Sequence, residues 1–194
     1  LPRDAALDIL AGYEYVPDSR PSLVMIGRLV PYKGVDVAIA SLAYAAAADW
    51  RLVVIGADDP ATPGESERLR QLAQDLGVAD RVEFLGGIPT AGRLVRAFSA
   101  LAALTRPGQA NAPQREGYGI TATEAMLGAV PVIVAGRGPI ARRLATPAGP
   151  AGVVVRPADP LATAAALGRL GDATSRAAMG ARGRAAAIGL PDAE

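Results

Sequence analysis

Short apolar runs alternate along the chain with longer stretches in which apolar and polar positions recur at helical spacing. A run of consecutive apolar residues bounded by glycine or by charged residues is typical of a strand buried on both faces of a parallel sheet. The pattern predicts six such strands, at residues 22–27, 51–56, 81–85, 101–104, 131–134 and 152–156.

The stretches between these strands predict helices. The pattern is clearest at residues 34–48, 65–76, 120–127, 161–170 and 173–187. Thr90 is expected to cap a further helix that ends near Ser99, and a short helix is expected between the last two strands. Strands and helices that alternate in this way predict an α/β fold with one doubly wound, mostly parallel, Rossmann-like sheet, and they leave the strand order open.

The domain organisation follows from the same pattern. Residues 21–190 are predicted to form the Rossmann-like domain, and their number is ample for one hydrophobic core. Residues 1–20 contain Pro2, Gly12 and Pro17, and we interpret them as a hinge or lead-in segment rather than as part of that core.

The composition removes several classes of chemistry. The 194 residues include no cysteine and no histidine, which excludes disulfides, thiolate–zinc sites and catalysis by a thiol or an imidazole of this chain. A net charge of +1 gives no electrostatic reason to expect nucleic acid or a membrane surface as a partner. No signal peptide or bilayer-spanning stretch is visible, so we expect a cytoplasmic protein.

The first candidate site is the loop Gly27–Gly34, directly after the first predicted strand. Ligands of open parallel sheets bind at the carboxyl ends of the strands, where this loop lies. Arg28 offers a fork of donors and Lys33 a compact charge, and such a pair suits a diphosphate. Two solvated cations beside a turn remain the alternative for this loop alone.

The second candidate site is residues 116–124, where Glu116 and Glu124 are separated by seven residues. The predicted helix start near Gly119 presents unpaired N–H groups and the positive end of a helix dipole, which together favour an anion. A carboxylate accepts two hydroxyl hydrogen bonds, as a ribose or a hexose would supply. An acidic first turn and a surface glutamate remain the alternative. A nucleotide sugar would satisfy both loops at once.

The two motifs carry a family resemblance. GRLVPYKG at 27–34 and EGYGITATEAM at 116–126 resemble the C-terminal, donor-binding domain of the retaining GT-B glycosyltransferases of family 4. The resemblance covers about residues 21–188. Four further segments agree in their order along the chain, namely RLVVIG, RVEFLG, PVIVAG and GVVVRPAD.

The resemblance implies a role for each matching residue. Arg28 and Lys33 would bind the donor diphosphate and stabilise it as the leaving group, and Glu124 would hold the ribose hydroxyls. Glu116 would lie near the transferred sugar, and the resemblance implies Arg28, Lys33 and Glu116 as the catalytic residues. The remaining donor-binding positions implied are Gly27, Gly86, Ile88, Gly117, Tyr118, Gly119 and Ile120. Enzymes of this kind need no essential metal, and the donor base stays open among UDP, GDP and ADP.

The sequence departs from the family pattern in two loops and in length. The loop at residues 105–115 is long and lacks the usual serine, so Arg106 or Arg115 is expected to replace a phosphate contact. The loop at residues 136–142 lacks the usual glutamate. GT-B enzymes contain two Rossmann-like domains, so an N-terminal acceptor domain is expected to be missing here. This chain alone is then expected to be inactive in transfer.

Other functions remain as alternatives. A sugar-nucleotide epimerase or a phosphorylase would be expected to use histidine, which the chain lacks. A dinucleotide-dependent oxidoreductase would show G-x-G-x-x-G after the first strand, and this chain has GRLVP there. A non-catalytic binding or partner domain of the same fold, which has lost activity, is the alternative from a different class.

Overall fold

The computed structural model describes residues 1–106 and 119–188. Its centre is a six-stranded sheet in which all neighbouring strands run parallel. A short antiparallel hairpin lies outside that sheet. In chain order the strands are β1 (Ser22–Ile26), β2 (Arg51–Ile55), β3 (Val82–Gly86), β4 (Ala100–Ala103), β5 (Val132–Ala135), the hairpin strands β6 (Ala145–Thr146) and β7 (Gly149–Pro150), and β8 (Gly152–Val155).

The order across the sheet is β3-β2-β1-β4-β5-β8. The chain first builds outward from β1 to β3 and then returns to the other side of β1, so the direction of winding reverses between β1 and β4. A crevice opens at the carboxyl ends of two strands where the winding reverses, and this crevice is the usual ligand site of doubly wound folds. The residues that follow Ile26 and Ala103 are therefore expected to form the ligand site.

Helices cover both faces of the sheet. Two hydrophobic clusters form, one on each face, because the strand side chains alternate in direction. The helices are α1 (Arg3–Ala11), α2 (Val35–Ser41), α3 (Glu65–Asp75), α4 (Ile120–Leu127), α5 (Pro139–Arg143), α6 (Pro160–Arg169) and α7 (Ala173–Ile188). The first cluster is covered by α2, α3 and α6, and the second mainly by α1, α4, α7 and a 3₁₀ segment at Ala91–Ala97.

The predicted strands and most helices agree with these bounds to within one or two residues, and two helices differ. The helix predicted at residues 34–48 ends at Ser41, whose buried hydroxyl donates to the carbonyl of Ala38 at 2.7 Å instead of to solvent. The helix expected from Thr90 is the 3₁₀ segment. Thr90 has a left-handed backbone, with φ 55°, and its side chain makes no capping hydrogen bond.

The expectation that residues 1–20 lie outside the core is not met. The side chains of Ala6 and Leu10 in α1 are fully buried, and they belong to the cluster on that face of the sheet. Tyr15 is also buried and packs against Phe98, with ring centroids 5.5 Å apart. The interpretation of this segment as non-core is wrong for these residues. The sequence pattern also gave no indication of the β6–β7 hairpin.

No helix in the described ranges is both long enough and apolar enough to cross a membrane.

Candidate functional site

The crevice between β1 and β4 contains a shallow pocket. The loop after β1 contributes Gly27, Arg28 and Lys33 to its lining. Thr105 lines it from the end of β4, and Thr121 from the first turn of α4. The structure thus brings together the two predicted cations and the start of the predicted anion-binding helix.

The course of the loop after β1 explains why Arg28 faces the pocket mouth. Leu29 donates its N–H to the carbonyl of Ala57 at 2.9 Å, and its side chain is almost fully buried. Val30 is buried as well, so the loop is anchored by apolar side chains on the residues that follow Arg28. The Arg28 side chain remains 68% exposed and free to meet a ligand from solvent.

Asp59 holds the Arg28 guanidinium in place. The two side chains form an ion pair, and the Asp59 carboxylate also accepts from the N–H of Ala61 at 2.9 Å. The Asp59 side chain is only 10% exposed, so its position is fixed by the protein. Its neighbour Asp58 has a separate role: it accepts from the N–H groups of Ser66 and Gly64 at the start of α3. The Ser66 N–H is the main reason that the pKa of Asp58 lies below its ordinary value.

Lys33 lies at the end of a 3₁₀ turn, Pro31–Lys33. It is half-buried, and its amine lies 6.0 Å from the centroid of the Tyr32 ring. Gly34 follows in a left-handed conformation, with φ 76°, and any side chain there would overlap the carbonyl of Leu104. Lys33 is the only lysine of the chain, and all other basic residues are arginine. The presence of a single lysine in the whole sequence is a further signal, which the loop motif by itself does not contain.

The start of α4 is the anion-binding position that the sequence predicts. Gly119 is its N-cap residue, with φ 61°, and no side chain from the described residues caps the helix. The first N–H groups of α4 therefore lack an acceptor within the helix. Gly119 lines a second pocket that shares Ala103 and Thr105 with the first. The Ile120 side chain is largely exposed, and Ile120 does not line either of these two pockets.

Glu124 lies one helical turn beyond Thr121, about 4.5 Å further along the α4 axis. Its carboxylate packs against Gly92, where a side chain of any kind would overlap it. Burial raises the pKa of the Glu124 carboxyl above its ordinary value. Glu124 lines a separate opening beside Arg93 and Arg96, and not the pocket that contains Arg28 and Lys33.

The remaining predicted positions divide into two groups. Gly86 ends β3, and its carbonyl accepts from the N–H of Gly56 at 2.8 Å. The Ile88 side chain is buried in the core. The other predicted site residues, Glu116, Gly117 and Tyr118, lie outside the described residues, as does Arg115.

Arg106 differs from the expectation of a phosphate contact. Its guanidinium is bound to the carboxylate of Asp36 at 2.5 Å, and its side chain is 16% exposed. Four residues that contact the candidate site residues or their loops were not identified in these roles from the sequence. They are Asp36, Asp59, Gly92 and Arg106. Within residues 1–106 and 119–188, no group of three or more acidic, cysteine or histidine side chains is arranged to hold a metal ion.

The sequence is similar to that of a known protein family. The profile of a family described as "Glycosyl transferases group 1" matches residues 14–186. The D-inositol 3-phosphate glycosyltransferase of Acidothermus cellulolyticus is 35% identical over 163 residues, which are 81% of this chain and 35% of that protein. The chain thus spans about a third of the length of this curated relative.

Two solved structures share the fold. Sucrose-phosphate synthase from Thermosynechococcus elongatus superposes with a TM-score of 0.77 and 26% identity, over 97% of this chain and 45% of that one. Anabaena Alr3699/HepE, in complex with UDP and glucose, superposes with a TM-score of 0.75 and 22% identity, over 94% of this chain and 46% of that one. The fold is that of one Rossmann-like half of a GT-B glycosyltransferase, and the chain belongs to the group 1 glycosyl transferase family.

Proposed function

We propose that this chain is the donor-binding half of a retaining hexosyltransferase that uses a nucleoside-diphosphate sugar. The observation that carries the proposal is the single pocket lined by Arg28, Lys33 and the first turn of α4. A longer protein would supply the acceptor domain, since this chain spans only a third of its curated relative and under half of the two solved structures.

The two cations would act on the leaving group. When the bond between the anomeric carbon and the diphosphate oxygen breaks, negative charge grows on that oxygen. Arg28, Lys33 and the first N–H groups of α4 would stabilise this charge, and preorganised electrostatic stabilisation of this kind lowers the barrier to departure. The pocket that both cations share with the first turn of α4 supports this role. The acceptor hydroxyl would then bond to the anomeric carbon from the face that the diphosphate leaves and pass its proton to the departing diphosphate oxygen, so that the anomeric configuration is retained.

Glu124 would bind the ribose. Its carboxylate is partly buried, which raises its pKa because water is removed from the charged form. Two ribose hydroxyls would donate to it and restore the lost hydrogen bonds. Glu116 and the backbone of Gly117 and Tyr118 would contact the transferred sugar and the phosphates, while the Gly86–Ile88 backbone would lie beside the base.

The ligands bound in one of the similar solved structures agree with the proposed donor. The Anabaena protein was solved with UDP and glucose, which supports a nucleotide sugar as the ligand class here. We propose that no metal is essential, because Arg28 and Lys33 supply positive charge at the diphosphate. Addition of EDTA is then expected to leave nucleotide binding unchanged.

Calorimetric titration of the 194-residue chain with UDP, GDP and ADP tests the proposal. We expect saturable binding of one of the three and a loss of about tenfold or more in affinity for Glu124→Gln, because the carboxylate's charged hydrogen bonds to the ribose weaken. Glu67→Gln is the matched control, since Glu67 is exposed on α3 and is expected to retain the wild-type affinity. Absence of binding by all three nucleotides would favour the non-catalytic alternative, a related domain that has lost its donor.

A further inference from the structure

The segment that follows β4 is bound directly to the turn that carries Lys33. The N–H of Arg106 donates to the carbonyl of Tyr32 at 2.7 Å. Two residues away, Gly34 packs so closely on Leu104 that no side chain fits between them. The residues on either side of Lys33 are therefore both in contact with residues 104–106.

The Arg106 side chain extends this connection. Its Nη2 donates to Asp36 Oδ2 at 2.5 Å, and its Nη1 donates to the carbonyl of Pro31 at 3.4 Å. Asp36 lies in the first turn of α2, so the guanidinium spans from the start of the 3₁₀ turn to the start of the next helix. Both side chains are mostly buried, at 16% and 21% exposure. Lys33 lies between the two points that Arg106 joins.

We propose that Arg106 is a positioning residue that fixes Lys33 for the donor diphosphate and does not itself touch the phosphates. This inference rests on the proposed function. The charge of Arg106 is balanced by Asp36 inside the protein, so it adds little to the field at the pocket. Its backbone and side-chain bonds instead restrict the backbone that carries the chain's only lysine.

The bonding of the pair argues against a role in stability alone. Asp36 Oδ1 and Arg106 Nε are buried, and neither has a hydrogen-bond partner among the described residues. A buried ion pair with unsatisfied atoms contributes little net stability, and apolar residues of similar size often replace such a pair without loss. We therefore expect the double variant Asp36→Leu/Arg106→Met to fold as stably as wild type and still to lose the placement of Lys33.

The unique lysine makes the placement measurable. Reductive methylation with ¹³C-formaldehyde labels Lys33 and the N-terminus, which give separate resonances and keep their positive charge. In ligand-free protein we expect Arg106→Ala and the double variant to shift the Lys33 resonance and to narrow it, because the side chain gains freedom. Arg169→Ala, an exposed arginine at the end of α6, is the matched control and is expected to leave the resonance unchanged.

Titration with the nucleoside diphosphate that binds wild type gives the second readout. We expect affinity to fall about tenfold in Arg106→Ala and in the double variant, and to stay at the wild-type level in Arg169→Ala. A Lys33 resonance that is unchanged in both Arg106 variants would overturn the proposal, even if affinity falls, because that result would indicate direct phosphate contact. If wild type bound no nucleotide, the proposed function would fail, while the ligand-free resonance would still decide the role of Arg106.

Discussion

Arg28 combines an exposed guanidinium with a nearly buried partner, and this combination suits a binding residue. An exposed arginine normally samples many rotamers, and ordering it on binding costs free energy. The ion pair with Asp59 holds the guanidinium at the pocket mouth before a ligand arrives. The Arg28 side chain is still 68% exposed, so part of its donor surface stays available to a diphosphate.

Gly92 determines where the Glu124 carboxylate can lie. We expect Gly92→Ala to displace that carboxylate, because the added methyl group would overlap it. The affinity for the nucleoside diphosphate should then fall about tenfold, as it does when Glu124 loses its charge. Calorimetric titration of the variant measures this effect.

Two comparisons make the Gly92 result specific. Gly12→Ala is the control, since Gly12 has an ordinary helical backbone and an added methyl group there meets only the carbonyl of Ile9 at 3.3 Å. In the double variant Gly92→Ala/Glu124→Gln the two losses should not add, because both act through one carboxylate. Full additivity would show that Gly92 acts independently of Glu124.

At the scale of the element, α1 is expected to stabilise the domain. Leu10 is fully buried against the 3₁₀ segment and the sheet, so Leu10→Ala removes packed methyl groups and leaves a cavity. We expect the free energy of unfolding to fall by about 2–5 kcal/mol. Ile9→Ala, on the exposed side of the same helix, should change it by less than about 0.5 kcal/mol. Urea unfolding checks both values, and equal small effects would mean that α1 unfolds separately from the core.

The elements differ in how well the sequence predicted them. The strands of the main sheet are continuous apolar runs, and burial on both faces leaves few other structures for such runs. The short helix α1 was missed because only three apolar positions mark its buried side and Pro2 and Gly12 flank it closely. Strand order was not predictable, because strands of similar composition carry no local signal for their partners.

The sequence predicted that some residues of the candidate site lie near one another, but it did not predict the side chains that hold them in place. The rule that ligands bind at the carboxyl ends of parallel strands placed Arg28, Lys33 and the start of α4 together, and the structure has them around one pocket. The partners that hold these groups are 31 residues apart for Arg28 and Asp59 and 70 residues apart for Arg106 and Asp36. Contacts of that separation depend on tertiary packing, which no spacing along the chain reveals.

At the scale of the whole molecule, the described lining of the pocket comes mainly from the loop after β1, the carboxyl ends of β1 and β4 and the first turn of α4. Within the described residues, no second Rossmann-like sheet is present to hold an acceptor. A glycosyl transfer needs the acceptor held in line with the anomeric carbon, and that positioning supplies a large part of the rate. We therefore expect the 194-residue chain to bind a nucleoside diphosphate without transferring sugar.

Joining the chain to the N-terminal half of a longer family member is expected to restore transfer. NMR of the product should show the anomeric configuration of the donor, because the diphosphate leaves from the face that the acceptor attacks. Lys33→Ala in the joined protein should lower kcat/KM by at least about a hundredfold, because the variant lacks one positive charge beside the leaving group. Arg169→Ala, at an exposed position, should leave kcat/KM unchanged. Sugar transfer by the 194-residue chain alone would contradict the need for a second domain. An inverted product would instead contradict the proposed direction of attack, because a single displacement from the opposite face inverts the anomeric carbon.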